Sequence, residues 1–245
     1  MPTASADEAI ERWGRRATIT AKLSGGTRSD VWAAQIDGRP HTLRRSRRSS
    51  EAVDWELDLI QFLSSRGIGV PSLRPTADGS RTYERFFALS WIDGRPPRTD
   101  AEWREVATTL ERVHELTRSW PQRPTFASTV DLLTSWAGGD VDLSLMPRAA
   151  VEQCRKEWVP LIGQRTSAIH GDPRGNVLIT ARGVVFIDWD EARVDVSLLD
   201  LADLPGNHVP PAVLAAARRA ASAWEAAASW SLEPLYARRR LAELA

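Results

Sequence analysis

The segment at 169–192, IHGDPRGNVLITARGVVFIDWDEA, constrains this chain more than any other stretch, because two short apolar runs are bracketed there by polar residues at set places. The runs are VLI at 177–179 and VVFI at 184–187, and the polar turn TARG between them makes a small β-hairpin the expected local structure. Asp172 then stands before the hairpin, Asn176 leads into it and Asp188 leaves it, so three oxygen-bearing side chains gather at one edge. Phosphoryl transfer needs such a group: a carboxylate to orient the attacking hydroxyl and take its proton, and oxygen ligands that hold magnesium against phosphates. Asp172 suits the first duty, Asn176 and Asp188 the second. Taken singly, each is also a common turn former at a strand end.

The two halves of the chain differ in period. TITAKL (18–23) alternates as a strand does, Gly25 and Gly26 interrupt it, and DVWAAQI (30–36) reads as a second strand. The turn DGRP (37–40) and a third strand, HTLRR, follow. From Ser50 the spacing becomes helical, with Val53, Leu57, Ile60 and Leu63 on one face and Gly67 as the stop. YERFFALSWI (83–92) reads as a central strand. Beyond it, Thr99 and Glu102 form a capping box for a helix whose face runs through Trp103, Val106, Ala107, Leu110 and Val113, and an Ala-rich stretch from Pro211 to about Ser231 favours another long helix. The expected fold is therefore α+β, a small antiparallel-sheet lobe with one main helix (1–92) followed by a mostly helical lobe (93–245).

Thirty-two basic residues balance thirty-two acidic ones, so no net field draws the chain to nucleic acid or an anionic membrane, and a charged ligand has to be held locally. The single cysteine, Cys154, excludes an internal disulfide and any cysteine-built zinc site and suits a reducing compartment. MPTASADEAIERWGRR holds no apolar signal core, and no apolar run approaches the ~20 residues that span a bilayer. A cytoplasmic protein is expected.

HGD, then Asn, an apolar hairpin and IDWD together resemble the catalytic segment of the aminoglycoside phosphotransferase and choline kinase superfamily, which has a protein-kinase-like fold. The resemblance implies ATP and Mg2+ as cofactors, Asp172 as the catalytic base, Asn176 and Asp188 as magnesium ligands, and a small-molecule hydroxyl as acceptor, on an antibiotic, a sugar or an amino alcohol. It also implies that His170 is a strut for the loop and that Asp200, in DLAD, braces it. Asp190 and Glu191 are candidates for the acceptor side, with a capping role open for Asp190. His114, on the core side of its helix, reads as a packing residue. One departure bears on Asn176: only Pro173, Arg174 and Gly175 separate it from Asp172, one residue fewer than the family places there, and a positive φ at Gly175 is the expected means of re-routing.

LSGGTRSDVWAAQI resembles the superfamily's phosphate-covering glycine loop, which implies nucleotide contacts at Gly25, Gly26, Thr27 and Ser29. In TLRRS the residue aligned with the kinase lysine is Arg44, with Arg45, Arg47 and Arg48 competing for the register, and Glu56 is its implied helix partner. FALSWIDG resembles the strand leading to the adenine edge, with backbone contacts around Ser90, Trp91 and Ile92. No P-loop signature occurs in the chain. A nucleotide-binding pseudokinase, motivated by the shortened loop, is the rival expectation.

Overall fold

The computed structural model describes residues 4–23, 28–206 and 210–245, and the chain divides into two compact units, Met1–Arg95 with Leu178–Asp190, and Pro96–Val177 with Glu191–Ala245. In the first unit, helix α1 (Ala6–Ile10) precedes strands β1 (Thr18–Lys22), β2 (Ser29–Ile36) and β3 (Arg39–Ser46), helix α2 (Ser50–Ser65), and strands β4 (Leu73–Arg74) and β5 (Phe86–Ser90). The strands make one antiparallel sheet in the order β1-β2-β3-β5-β4. Asp37 and Gly38 join β2 to β3 with φ of 51° and 73°, the doubly left-handed turn whose twist suits a two-residue hairpin.

Strand alternation sorts the core of this unit into two faces. Phe86 and Ala88 of β5 pack with Leu43, Ile36, Ala34 and the α1 residues Ala9 and Ile10, while Phe87 and Leu89 meet Val53 and Leu57 of α2. Each buried Phe or Leu contributes about 1.5–3 kcal/mol by leaving water. Arg44 stands opposite Phe87 in the β3–β5 register, so it belongs to the face that α2 covers. β5 is shorter than the expected 83–92, because Glu84 and Arg85 take φ of 47° and 67° and close a tight turn from Tyr83 to Phe86.

Nearly all of the hairpin Val177–Thr180 with Gly183–Phe186 packs as part of the first unit. Phe186 N donates to Gly69 O at 2.9 Å, and Ile179 N and Arg95 O are 2.7 Å apart. Gly69 permits the approach: a Cβ there would lie 2.2 Å from the carbonyl oxygen of Val184.

The second unit is mostly helical, with α3 (Asp100–Leu116), α4 (Arg148–Trp158), α5 (Leu198–Leu201), α6 (Pro211–Ala228) and α7 (Pro234–Ala242). The capping box at Thr99 and Glu102 is present, with Glu102 N bonded to Thr99 Oγ1 at 3.2 Å. Strand Thr166–Ile169 pairs antiparallel with Arg193–Val196, placing Ile169 beside Arg193. Small residues on α6 let α4 pack closely, and Trp158 donates its indole N–H to Ala220 O at 3.2 Å. Cys154 is buried in this core, and burial pushes its thiol up to about 12, leaving it inert. Among the described residues no helix is long and apolar enough to cross a membrane.

Candidate active site

In the second unit the chain leaves the strand Thr166–Ile169 into His170, Gly171 and Asp172, and a buried carboxylate fixes where it goes. Asp200 of α5 accepts His170 N at 2.8 Å and His114 Nε2 at 2.9 Å on one oxygen, and Gly171 N at 2.9 Å on the other. Burial alone would raise the pKa of Asp200, but the His114 hydrogen bond, the charges of His114 and His170 and the Gly171 N–H outweigh it, and the carboxyl is held below its ordinary range. His114 is thus more than packing: it satisfies the buried brace. Gly171 has φ +92°, and a Cβ there would lie 2.7 Å from Glu191 O, so a glycine is required for the loop to pass. His170 is fully buried, and its Nδ1 accepts Asp172 N at 3.4 Å.

Asp172 itself is exposed. Asn176 folds back onto it, its Nδ2 donating to Asp172 O at 2.9 Å and to Asp172 Oδ2 at 3.0 Å. The short loop closes through a turn in which Asn176 N donates to Pro173 O at 3.2 Å. Gly175 is not among the glycines of positive φ, so the expected re-routing through that residue does not occur, and the turn at Pro173 takes up the missing residue instead. Tyr236 of α7 bonds to Glu225 of α6, and its hydroxyl is pushed above the ordinary tyrosine range by burial first, then by Glu225, with the charge of Asp172 adding to it.

In the first unit Asp188 ends the hairpin with φ 59°, a conformation that non-glycine residues rarely adopt and that clusters at functional sites. Arg44 Nη2 reaches Asp188 Oδ1 at 2.5 Å and Ser29 Oγ at 3.1 Å. Strand alternation separates the neighbouring arginines: Arg44 faces Asp188, whereas Arg45 points to the other side and lies over the Phe86 ring. Burial disfavours the Arg44 charge, but Asp188, Glu56 and Asp190 outweigh that and raise its pKa. Glu56 is fully buried on the inner face of α2, within electrostatic reach of the guanidinium.

Asp190, two residues on, pairs with Arg48, whose Nη2 lies 3.3 Å from Asp190 Oδ2. Asp190 is buried, and Glu191 belongs to the second unit. At the end of β5, Ser90 N donates to Ser72 O at 2.8 Å and Trp91 N to Pro40 O at 3.1 Å. Those two amides are therefore committed within the sheet. Gly25, Gly26 and Thr27 lie outside the described residues. Sequence reading missed the bond from His114 to Asp200 and the Arg48–Asp190 pair, because neither a helix histidine nor a loop arginine carries a local mark of its distant partner.

The donor set fits a hard cation. Asp188 keeps 43% of its side chain exposed beside its Arg44 contact, and among the described residues no group of three or more His, Cys, Asp or Glu is arranged to hold a metal by itself.

The model of a family described as the phosphotransferase enzyme family matches residues 20–241. Comparison with curated proteins gave no match. Among solved structures, the aminoglycoside phosphotransferase APH(4)-Ia is 16% identical with a TM-score of 0.67, covering 96% of this chain and 95% of that one. A microcompartment-associated aminopropanol kinase is 15% identical with a TM-score of 0.65, covering 98% and 93%. A choline kinase from Cryptosporidium parvum is 14% identical with a TM-score of 0.57, covering 94% and 88%. At these identities the likeness concerns the fold, which is that of the protein-kinase-like phosphotransferases.

Proposed function

We propose that this chain, which belongs to the phosphotransferase enzyme family, moves the γ-phosphate of ATP to a hydroxyl group of a small molecule. The observation that carries the reading is the contact of Arg44 with Asp188, 144 residues apart in sequence and 2.5 Å apart in space. A strand cation and the metal-binding carboxylate of a nucleotide site, picked out from separate motifs, meet at that contact. When bound, magnesium–ATP supplies the phosphoryl group and shields its charge. Arg44 grips phosphate oxygens with its planar fork, Glu56 keeps that fork aimed, and Asp188 and the Asn176 amide oxygen offer hard ligands. Asp172 orients the acceptor hydroxyl and takes its proton. The Asp200 brace keeps Asp172 where its loop sets it.

Relatives of this fold are named for amicoumacin, aminopropanol and choline as well as aminoglycosides. For this chain an acceptor without several positive charges is favoured, because Arg240 already occupies Glu225 at 2.7 Å, Glu243 at 2.6 Å and Asp203 at 3.7 Å, leaving less free carboxylate in α6 and α7 for a polyamine. A cytoplasmic location fits the use of ATP. One observation favours a second reading, a nucleotide sensor without transfer: the Asn176 amide is turned onto Asp172. Magnesium-dependent ADP release, measured over a panel of antibiotics, sugars and amino alcohols, separates the two. Acceptor-stimulated release supports the kinase; nucleotide binding with no stimulation by any acceptor supports the sensor.

A further inference from the structure

We infer that Arg48 and Asp190 form a positioning pair for Asp188, an assignment that rests on the phosphotransfer reading above and extends it to two residues without a role in it. The far end of β3 and the loop after it send two arginines to two carboxylates that flank Trp189, with Arg44 on Asp188 and Arg48 on Asp190. The pairs are built differently. Asp188 leaves 43% of its side chain open to solvent, so its partner can be exchanged for a cation, whereas the Arg48 and Asp190 side chains are only 10% and 8% exposed. Arg48 Nη2 also lies 3.4 Å from the Asp190 carbonyl oxygen, so the guanidinium holds backbone as well as charge.

The turn between the hairpin and Asp190 needs such a hold. Asp188 has φ 59°, a conformation that persists only where the surroundings impose it. Arg44 holds Asp188 through one guanidinium nitrogen, Nη2, and that contact weakens when phosphate draws the guanidinium toward itself. The Arg48–Asp190 pair and the bond from the Trp189 indole N–H to Phe186 O at 3.3 Å keep the turn in place independently of Arg44. Arg48 also neutralises Asp190, so the cation is met by Asp188 rather than shared with a second carboxylate two residues away. Groups that orient a metal ligand in this way commonly matter about 10- to 100-fold in metal affinity.

The test is calorimetric titration of a non-hydrolysable ATP analogue into the full chain at a series of magnesium concentrations, for the parent and for Arg48→Ala, Arg48→Lys and Asp188→Asn, with circular dichroism to confirm folding. Arg48→Ala is expected to raise the magnesium midpoint about 10- to 100-fold while binding of the analogue in chelator stays unchanged, which a general loss of structure would not produce. Arg48→Lys is expected to give a smaller rise, because an ammonium keeps the charge but cannot span carboxylate and carbonyl together; it carries the test if Arg48→Ala does not fold. An unchanged midpoint in both variants overturns the inference, and a lowered midpoint does so too by making Asp190 a metal ligand that Arg48 masks. Asp188→Asn separates the layers: if it abolishes the magnesium dependence while the Arg48 variants do not move it, only the positioning pair fails. If Asp188→Asn leaves the dependence intact, the phosphotransfer reading fails with it.

Discussion

The loop at 170–172 and the turn at 187–190 each present an aspartate, and they are held by opposite means. Asp172 stands on a loop fixed through its backbone, where the carboxylate of Asp200 takes the N–H groups of His170 and Gly171 and the ring of His114. Asp188 stands on a turn fixed through side-chain charge, by Arg44 on the aspartate itself and Arg48 two residues later. Backbone bonds to a buried acceptor do not compete with ligands, so the first arrangement suits the role of proton acceptor proposed for Asp172. An ion pair with a partly exposed carboxylate is exchangeable, which suits the cation-binding role proposed for Asp188.

The contrast is broken most directly at Asp200. Asp200→Ala would strand a buried histidine and two N–H groups and is expected to cost about 3–5 kcal/mol in urea denaturation, whereas an unchanged midpoint would remove the brace from the argument. Gly171→Ala comes next, at about 1–3 kcal/mol, because it forces a side chain into positive φ against Glu191 O; a variant as stable as the parent would show that the loop can re-route. The pH dependence has a definite sign. Asp200 is held below its ordinary range, so its contribution is complete at pH above the normal carboxylate values and is lost as pH falls through the lowered one. Acid denaturation should therefore be shallower in Asp200→Asn than in the parent, and equal slopes would contradict this. The smallest effect is expected on the side held by charge: Arg44→Lys should weaken binding of the nucleotide analogue about fivefold, ~1 kcal/mol, with little change in the acid profile.

These two regions also differ in how far they could be read from sequence. The Asp172 loop was legible because its residues are contiguous, and the Asp200 brace was named through the DLAD resemblance, although nothing near His114 in LERVHEL marks it as the third partner. Around Asp188 the aspartate and Arg44 were found through separate motifs. Their meeting depends on the hairpin packing with the first unit, which the close approach at Gly69 permits and which residue order alone does not reveal. Helices α2 and α3 followed their apolar spacing and capping residues, while α4 and α7 went unread, since RAAVEQCRKEW and PLYARRRLA carry many charges and short apolar stripes. The start of β5 was misplaced because left-handed backbone at Glu84 and Arg85 leaves no apolar signature.

The most direct measurement compares Asp172→Asn with the parent in two readouts, affinity for magnesium–nucleotide and acceptor-stimulated phosphoryl transfer. Transfer is expected to fall by about 10²- to 10⁴-fold with nucleotide affinity unchanged, as for loss of a base that touches only the acceptor. Transfer at the parental rate, or loss of nucleotide binding in step with it, would contradict the assignment of Asp172 as the residue that takes the proton.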